Sequence, residues 1–350
     1  MLKSANKPLF VEISDYSFLV ARVNALTGPI EVEALLELPT DISPEQATES
    51  ILQFSSTKKG QLCQAVCGTY PPQALIRRAT LESANKAKDP AYLAEFANQQ
   101  FKISVNDYAM IPLNASQGTQ FQSDKLVGKE LIFCGAPKAA ILAEQERLLG
   151  YNIYPQRLEL GTLATLGGMI RYSRLVGLKS PTLMLEITED QAQVLIFHGD
   201  QLDVARPIPY GLSSMYPLVQ QELGLKDEDS ARKLFSSNTF DFTEMGPVLL
   251  KKMLKELQAS TGFYEVQTGQ TIGQIYLNLL PENLGWVGRT LSRTLGVDVL
   301  EPDFATWLSG SNVSLSDGVE TSKLDKRWFG LFALMCDYNT QPEVADAKGK

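Results

Sequence analysis

The 350-residue sequence predicts a duplicated α/β protein of two lobes, the first lobe carrying an inserted subdomain. Two observations lead to that prediction. The stretch LFVEISDYSFLVARVNALTGPIEVEALLEL (9–38) alternates as a three-stranded meander, and LMLEITEDQAQVLIFHGDQLDVARPIPYG (183–211) repeats its layout. Both meanders also end their first strand on the same signature, Glu12-Ile13-Ser14 in one and Glu186-Ile187-Thr188 in the other. Helix and strand units follow each meander in similar order. The expected boundaries are 8–178 for the first lobe with an insert over about 75–150, and 179–336 for the second lobe with a small helical subdomain over about 212–262. A polar tail at 337–350 is expected to be disordered.

Leu9, Val11 and Ile13 share one face of the first strand, and Phe18, Val20 and Val23 carry the second. Thr27-Gly28-Pro29 turns the chain into a third strand at Ile30 to Leu38. A helix starts at Ser43, with Pro44 in its first turn and Glu45 behind it, and QLCQAVCGTY (61–70) follows as a buried strand. Residues 73–130 are the least regular, with a helix from Asp89-Pro90, a strand at 104–114 and an exposed loop at 115–128. A strand at 129–137, an amphipathic helix ended by Gly150 and a Gly-rich helix around 161–177 close this half. The second half predicts helices at 210–225, 226–237 and 245–266, strands at 272–280 and 297–302, and helices at 283–296 and 325–338.

Composition excludes several function classes. Net charge of −8 disfavours nucleic acid, whose phosphates demand clustered Lys and Arg. No apolar run approaches the roughly 20 residues that cross a bilayer, and the amino end has no leader-like hydrophobic region, so a cytoplasmic protein is expected. Four scattered cysteines and a single histidine, His198, do not supply the ligand set of a metal site, and buried reduced thiols are expected instead. His198 reads as a turn residue without a paired nucleophile, and Gly211-Leu212-Ser213-Ser214 lacks the pattern of a nucleophile elbow. Gly167-Gly168 reads as a place of close helix packing, and Trp286, Trp307 and Trp328 as core, with Trp328 also a candidate contact residue.

Four stretches carry a resemblance: LIFCGAPKAAILAEQERLLGYNIYPQRLELGTLATL, RPIPYGLSSMYPLVQQELGLKDEDSARKLF, ELQASTGFYEVQTGQTIGQIYL and NLGWVGRTLSRTLGVDVLEPDF. In order and spacing they resemble the actin, hexokinase and Hsp70 ATPase superfamily (ASKHA), whose core is ribonuclease H-like. The resemblance is strongest to the PilM-like type IV pilus assembly proteins and to FtsA-like proteins. It implies an actin-like ATPase fold with a nucleotide cleft between the lobes.

The same resemblance implies that the cleft is degenerate. Family hairpins place Asp at the strand end and Gly two residues later, because a bare backbone can approach phosphate oxygens. Here Glu12 and Ser14 stand at the first hairpin, and Glu186 and Thr188 at the second. Aligned with the adenosine loop, Leu279 and Leu280 fall on its glycine pair and add about eight heavy atoms, which favour burial over polar contact. The expectation is a pseudo-ATPase with no ATP, Mg or other metal and no catalytic residue.

What remains implied is a scaffold of an inner-membrane pilus platform, cytoplasmic and reaching the membrane through a partner. That partner would be the cytoplasmic tail of a PilN-like membrane protein, lying between the first lobe's core and its insert. Residues 77–96 and the edge strand near 107–113 are the expected groove. Contacts with other platform proteins and self-association are left open. The alternatives are a GspL-like type II secretion component, which would continue into a transmembrane helix, and an FtsA- or PilM-like protein with an active cleft. A sugar or acetate kinase would need the glycine loops that this sequence has lost.

Overall fold

Every residue of the first strand, Leu9–Ile13, is buried, as a strand must be when neighbours pair on both edges and helices cover both faces. The structure, a computed structural model, describes residues 7–115, 118–122, 128–237 and 239–339. In chain order the first half gives β1 (Leu9–Ile13), β2 (Phe18–Val23), β3 (Ile30–Leu38), α1 (Pro44–Ser55), β4 (Cys63–Thr69) and β5 (Leu75–Thr80). It continues with α2 (Pro90–Phe101), β6 (Tyr108–Asn114), β7 (Glu130–Pro137), α3 (Lys138–Gly150), β8 (Ile153–Leu160) and α4 (Gly161–Leu175). The second half opens with β9 (Thr182–Ile187), β10 (Ala192–His198), β11 (Gln201–Ile208), α5 (Tyr216–Leu223), α6 (Glu228–Ser236), α7 (Gly246–Leu249) and α8 (Lys251–Thr268). It ends with β12 (Gln274–Asn278), α9 (Gly285–Leu295), β13 (Asp298–Val299), α10 (Phe304–Ser309), β14 (Val313–Leu315) and α11 (Phe329–Asn339).

The duplication is visible in sheet order. One sheet runs β14-β3-β2-β1-β4-β8 and the other β11-β10-β9-β12-β13. In both, an antiparallel meander is extended by a parallel strand beside its first member, β4 beside β1 and β12 beside β9. Glu12 lies opposite Gly68, and Glu186 opposite Asn278, so the two carboxylates occupy equivalent places. A third sheet, β5-β7-β6, packs α2 through Phe96, Phe101 and Phe133.

The chain divides into two compact units, and not at the boundaries expected from sequence. One unit is the described part of Met1–Pro71, Ala139–Val176 and Pro302–Lys350; the other is Pro72–Lys138 and Gly177–Glu301. The expected second lobe ended at 336, yet residues from Pro302 onward belong with the first meander. β14 pairs parallel with β3, and α11 packs on α4 where Gly168 leaves room for Ala333 and Phe329. The insert ends at Lys138 and groups with the second meander. There Gln193 donates to the carbonyl of Ile76, and Arg78 reaches Asp203.

Other local expectations shift for identifiable reasons. The stretch 73–130 holds β5, missed because Arg77-Arg78 interrupts its apolar pattern. The long helix expected from 245 is broken at Leu250 into α7 and α8. The loop after β6 bridges back through Gln120 to Leu113 and buries Phe121. Of the tail, residues 337–339 are helical, and the remainder lies outside the described residues. Trp286, Trp307 and Trp328 are all buried, as are the four free thiols. Burial pushes the Cys67 thiol up, and that of Cys134 up to about 12.

Candidate functional site

β1 ends at Ile13 and the chain turns through Ser14, Asp15, Tyr16 and Ser17 into β2. A phosphate hairpin works by leaving main-chain N–H groups bare. Here the Ser14 hydroxyl accepts from the N–H of Tyr16 at 3.1 Å and of Ser17 at 3.0 Å, and it lies 2.9 Å from the Ser17 hydroxyl. The Ser14 N–H in turn donates to the Ser17 carbonyl at 2.9 Å. The turn is closed upon itself by the Ser14 side chain.

The second hairpin repeats the device. The Thr188 N–H donates to the Gln191 carbonyl at 2.9 Å, the Thr188 hydroxyl donates to the same carbonyl at 3.0 Å, and the Gln191 N–H donates back to that hydroxyl at 3.4 Å. Its other side is covered: a Cβ at Gly211 would fall 2.5 Å from the Gln191 nitrogen, and the N–H groups of Leu212 and Ser213 donate to the carbonyls of Thr188 and Glu189. Both tips also carry acids, Asp15 in one and Glu189-Asp190 in the other, which repel a phosphate. The Glu189 carboxylate accepts from Tyr216 at 3.0 Å; burial and then this charge raise the Tyr216 phenol.

Each of the paired glutamates is held by contacts within its own unit. Glu12 is 1% exposed and accepts from the Tyr70 hydroxyl at 2.5 Å. A Cβ at Gly330, in the first turn of α11, would collide with Glu12 Oε1 and lie 2.8 Å from Cδ. The carboxylate thus lies against the first turn of α11, where the macrodipole favours a negative charge. Gly161 makes the space for Tyr70, since a Cβ there would lie 2.6 Å from the phenol oxygen. Glu186 is 6% exposed and accepts from the Asn278 amide at 2.7 Å.

Leu279 and Leu280, expected at the adenosine loop, follow β12 directly. Leu280 is buried, and Leu279 is half-buried with φ of 56°. That left-handed backbone suits glycine, and a leucine holds it at a cost of about 1–2 kcal/mol. The turn has the backbone of a glycine loop while presenting an alkyl side chain.

The structure thus places Glu12 and Ser14 at the end of β1, and brings Glu186 against Asn278 at the start of the 278–280 turn, each set within one unit. Sequence reasoning missed Tyr70, Asn278 and Gly330. The parallel register identifies Asn278, whereas nothing local marks Gly330, whose neighbour Glu12 is more than 300 residues away in the chain. His198 ends β10 with its ring nitrogen 3.1 Å from the Lys179 carbonyl, an ordinary turn contact. Ser213 donates to the Glu189 carbonyl at 2.8 Å. Among the described residues no group of three or more His, Cys, Asp or Glu side chains could hold a metal ion.

The sequence matches no family model. No curated protein matches it. Solved structures do match. The chain is similar to a structure described as the PilM-PilN type IV pilus biogenesis complex, with a TM-score of 0.67 and 16% identity over 95% of this chain and 98% of that one. Weaker likenesses include a Bacteroides thetaiotaomicron protein with actin-like ATPase fold and unknown function, at TM-score 0.44, 10% identity and 85% and 91% coverage. The cytoplasmic domain of EpsL, an inner-membrane component of the Vibrio cholerae type II secretion system, gives 0.41 and 12% over 95% and 94%. With its duplicated meanders and parallel extensions, the chain has the actin-like ATPase fold in a PilM-like form.

Proposed function

We propose that this chain is an actin-like scaffold of a type IV pilus-like assembly platform, a pseudo-ATPase that docks the cytoplasmic tail of a PilN-like inner-membrane protein. The observation that carries the loss of nucleotide chemistry is the self-closure of both hairpins. The N–H groups of Tyr16, Ser17 and Gln191 already donate to the hydroxyls of Ser14 and Thr188. A triphosphate would have to break those bonds to use these N–H groups.

The burial of Glu12 beneath α11, the tie between Glu186 and Asn278, and Leu279 with Leu280 support the same reading. Likeness to PilM, solved together with PilN, supports a membrane-protein tail as the partner. No helix among the described residues is long and apolar enough to cross a membrane, which fits attachment through that partner.

A pull-down from solubilised membranes with the intact chain tests the reading. Recovery of a single-span protein with a short cytoplasmic amino-terminal segment, unchanged by Mg-ATP, is the expected result. Recovery only of soluble metabolic enzymes, or retention that requires Mg-ATP, would contradict it.

A further inference from the structure

The helix α8 turns two very different sides to its surroundings. Met253, Leu254, Leu257, Ser260 and Tyr264 are buried and fix the inner side. At 3.6 residues per turn the opposite side presents Lys251, Lys252, Lys255, Ala259, Phe263 and Val266, all of them exposed. Phe263 is 62% exposed and Val266 88%, the two most exposed large apolar side chains among the described residues.

Charge on the outer side has one sign. In a chain of net charge −8 it carries three lysines and no acid. Glu256 and Glu265 stand at its margins, and Glu256 is held by Arg206 at 3.0 Å. None of the three lysines forms an ion pair with a described residue, and Lys252 lies 5.7 Å from the centre of the Tyr210 ring. Lys251 and Lys252 occupy the first turn of α8, which has no acid, and a cation there opposes the helix dipole. The helix itself gives no reason for lysine at these places.

Another exposed apolar pair, Leu142 and Leu149 of α3, lacks this setting, because the exposed Glu146 lies between them on the same side of the helix. Cations beside exposed aromatic and aliphatic side chains match the headgroup layer of an anionic bilayer. There lysine meets lipid phosphate, and apolar side chains enter the boundary of the acyl chains. An acidic protein would also satisfy the lysines. A stable protein interface, however, takes about 20 residues a side around an apolar centre, and two apolar side chains on one helix do not make such a centre.

We propose that the outer side of α8 is a lipid-binding surface that rests on an anionic membrane, with Lys251, Lys252 and Lys255 against the phosphates and Phe263 and Val266 at the acyl boundary. Each lysine is worth roughly fivefold in affinity at such a surface. The contact is additional to docking through a partner's tail, and it depends neither on that docking nor on the nucleotide reading.

The test is co-sedimentation of the full chain, with no partner present, with vesicles of phosphatidylglycerol and phosphatidylethanolamine, against vesicles of phosphatidylcholine alone. Sedimentation with the anionic vesicles only, weakened several-fold by high salt, is expected. Lys251→Glu combined with Lys255→Glu should lower partition at least tenfold. Both sites are exposed and the dipole favours an acid at the first, so this variant should melt with the parent. Val266→Ser should lower partition several-fold. Val266→Trp reports insertion: its emission should shift to the blue on adding the anionic vesicles, over the constant background of the three buried native tryptophans. Absence of sedimentation with the anionic vesicles would overturn the proposal and favour an acidic protein partner instead. Equal sedimentation of parent and lysine variant, or a tryptophan emission that the vesicles leave unchanged, would also overturn it.

Discussion

Leu279 sits where its backbone suits glycine, and its neighbour Leu280 sits where its side chain is buried, so the two should respond oppositely to truncation. Leu279→Gly relieves left-handed strain of about 1–2 kcal/mol while losing only partial burial, and should leave stability within about 1 kcal/mol of the parent. Leu280→Ala should cost about 2–5 kcal/mol. Urea unfolding checks both, and equal losses would remove the case for a retained glycine-loop backbone. Gly330 makes a second residue-scale test. Gly330→Ala should cost about 1–3 kcal/mol because its Cβ meets the Glu12 carboxylate. In a Glu12→Ala background the same change should cost less than about 1 kcal/mol, and a double-mutant cycle measures the difference.

At the scale of elements, Asp203 joins three of them. Arg78 of β5 donates to its carboxylate and carbonyl, and Tyr264 of α8 donates to the same carboxylate at 3.1 Å. Burial, and then the Asp203 charge, push the Tyr264 phenol up to about 12. The folded state therefore holds the proton more tightly than the unfolded chain, whose tyrosine titrates near 10. The stability this supplies is fully present below about pH 10 and is lost as pH rises toward 12. Alkaline unfolding followed by circular dichroism should show that loss in the parent and a shallower one in Tyr264→Phe. An identical pH dependence in the two would contradict the assignment.

The elements also show how far the sequence could be read. Both meanders, the helix starts at Ser43, Asp89 and Asp227, and the packing role of Gly168 were legible, because alternation, capping and close approach are local. β5 was hidden by two arginines, one of which, Arg78, meets its partner Asp203 125 residues further on. The return of residues after Pro302 to the first meander was hidden for a similar reason: β14 is three residues long and pairs with a strand near the amino end.

At the scale of the whole molecule, the duplication explains why one arrangement appears twice. Each meander ends its first strand on a buried glutamate and closes its first turn with a hydroxyl, and each glutamate is bound from the parallel strand beside it or from the turn that follows that strand. Ser14, Thr188, Leu279 and Leu280 were legible from sequence as residue types that differ from glycine. The contacts of Glu12 and Glu186 were not, since Tyr70, Asn278 and Gly330 meet them only through the fold.

Isothermal titration calorimetry of the full chain with Mg-ATP, carried to millimolar nucleotide, tests the central claim most directly. The account predicts no saturable heat. Saturable binding at micromolar concentration would contradict it.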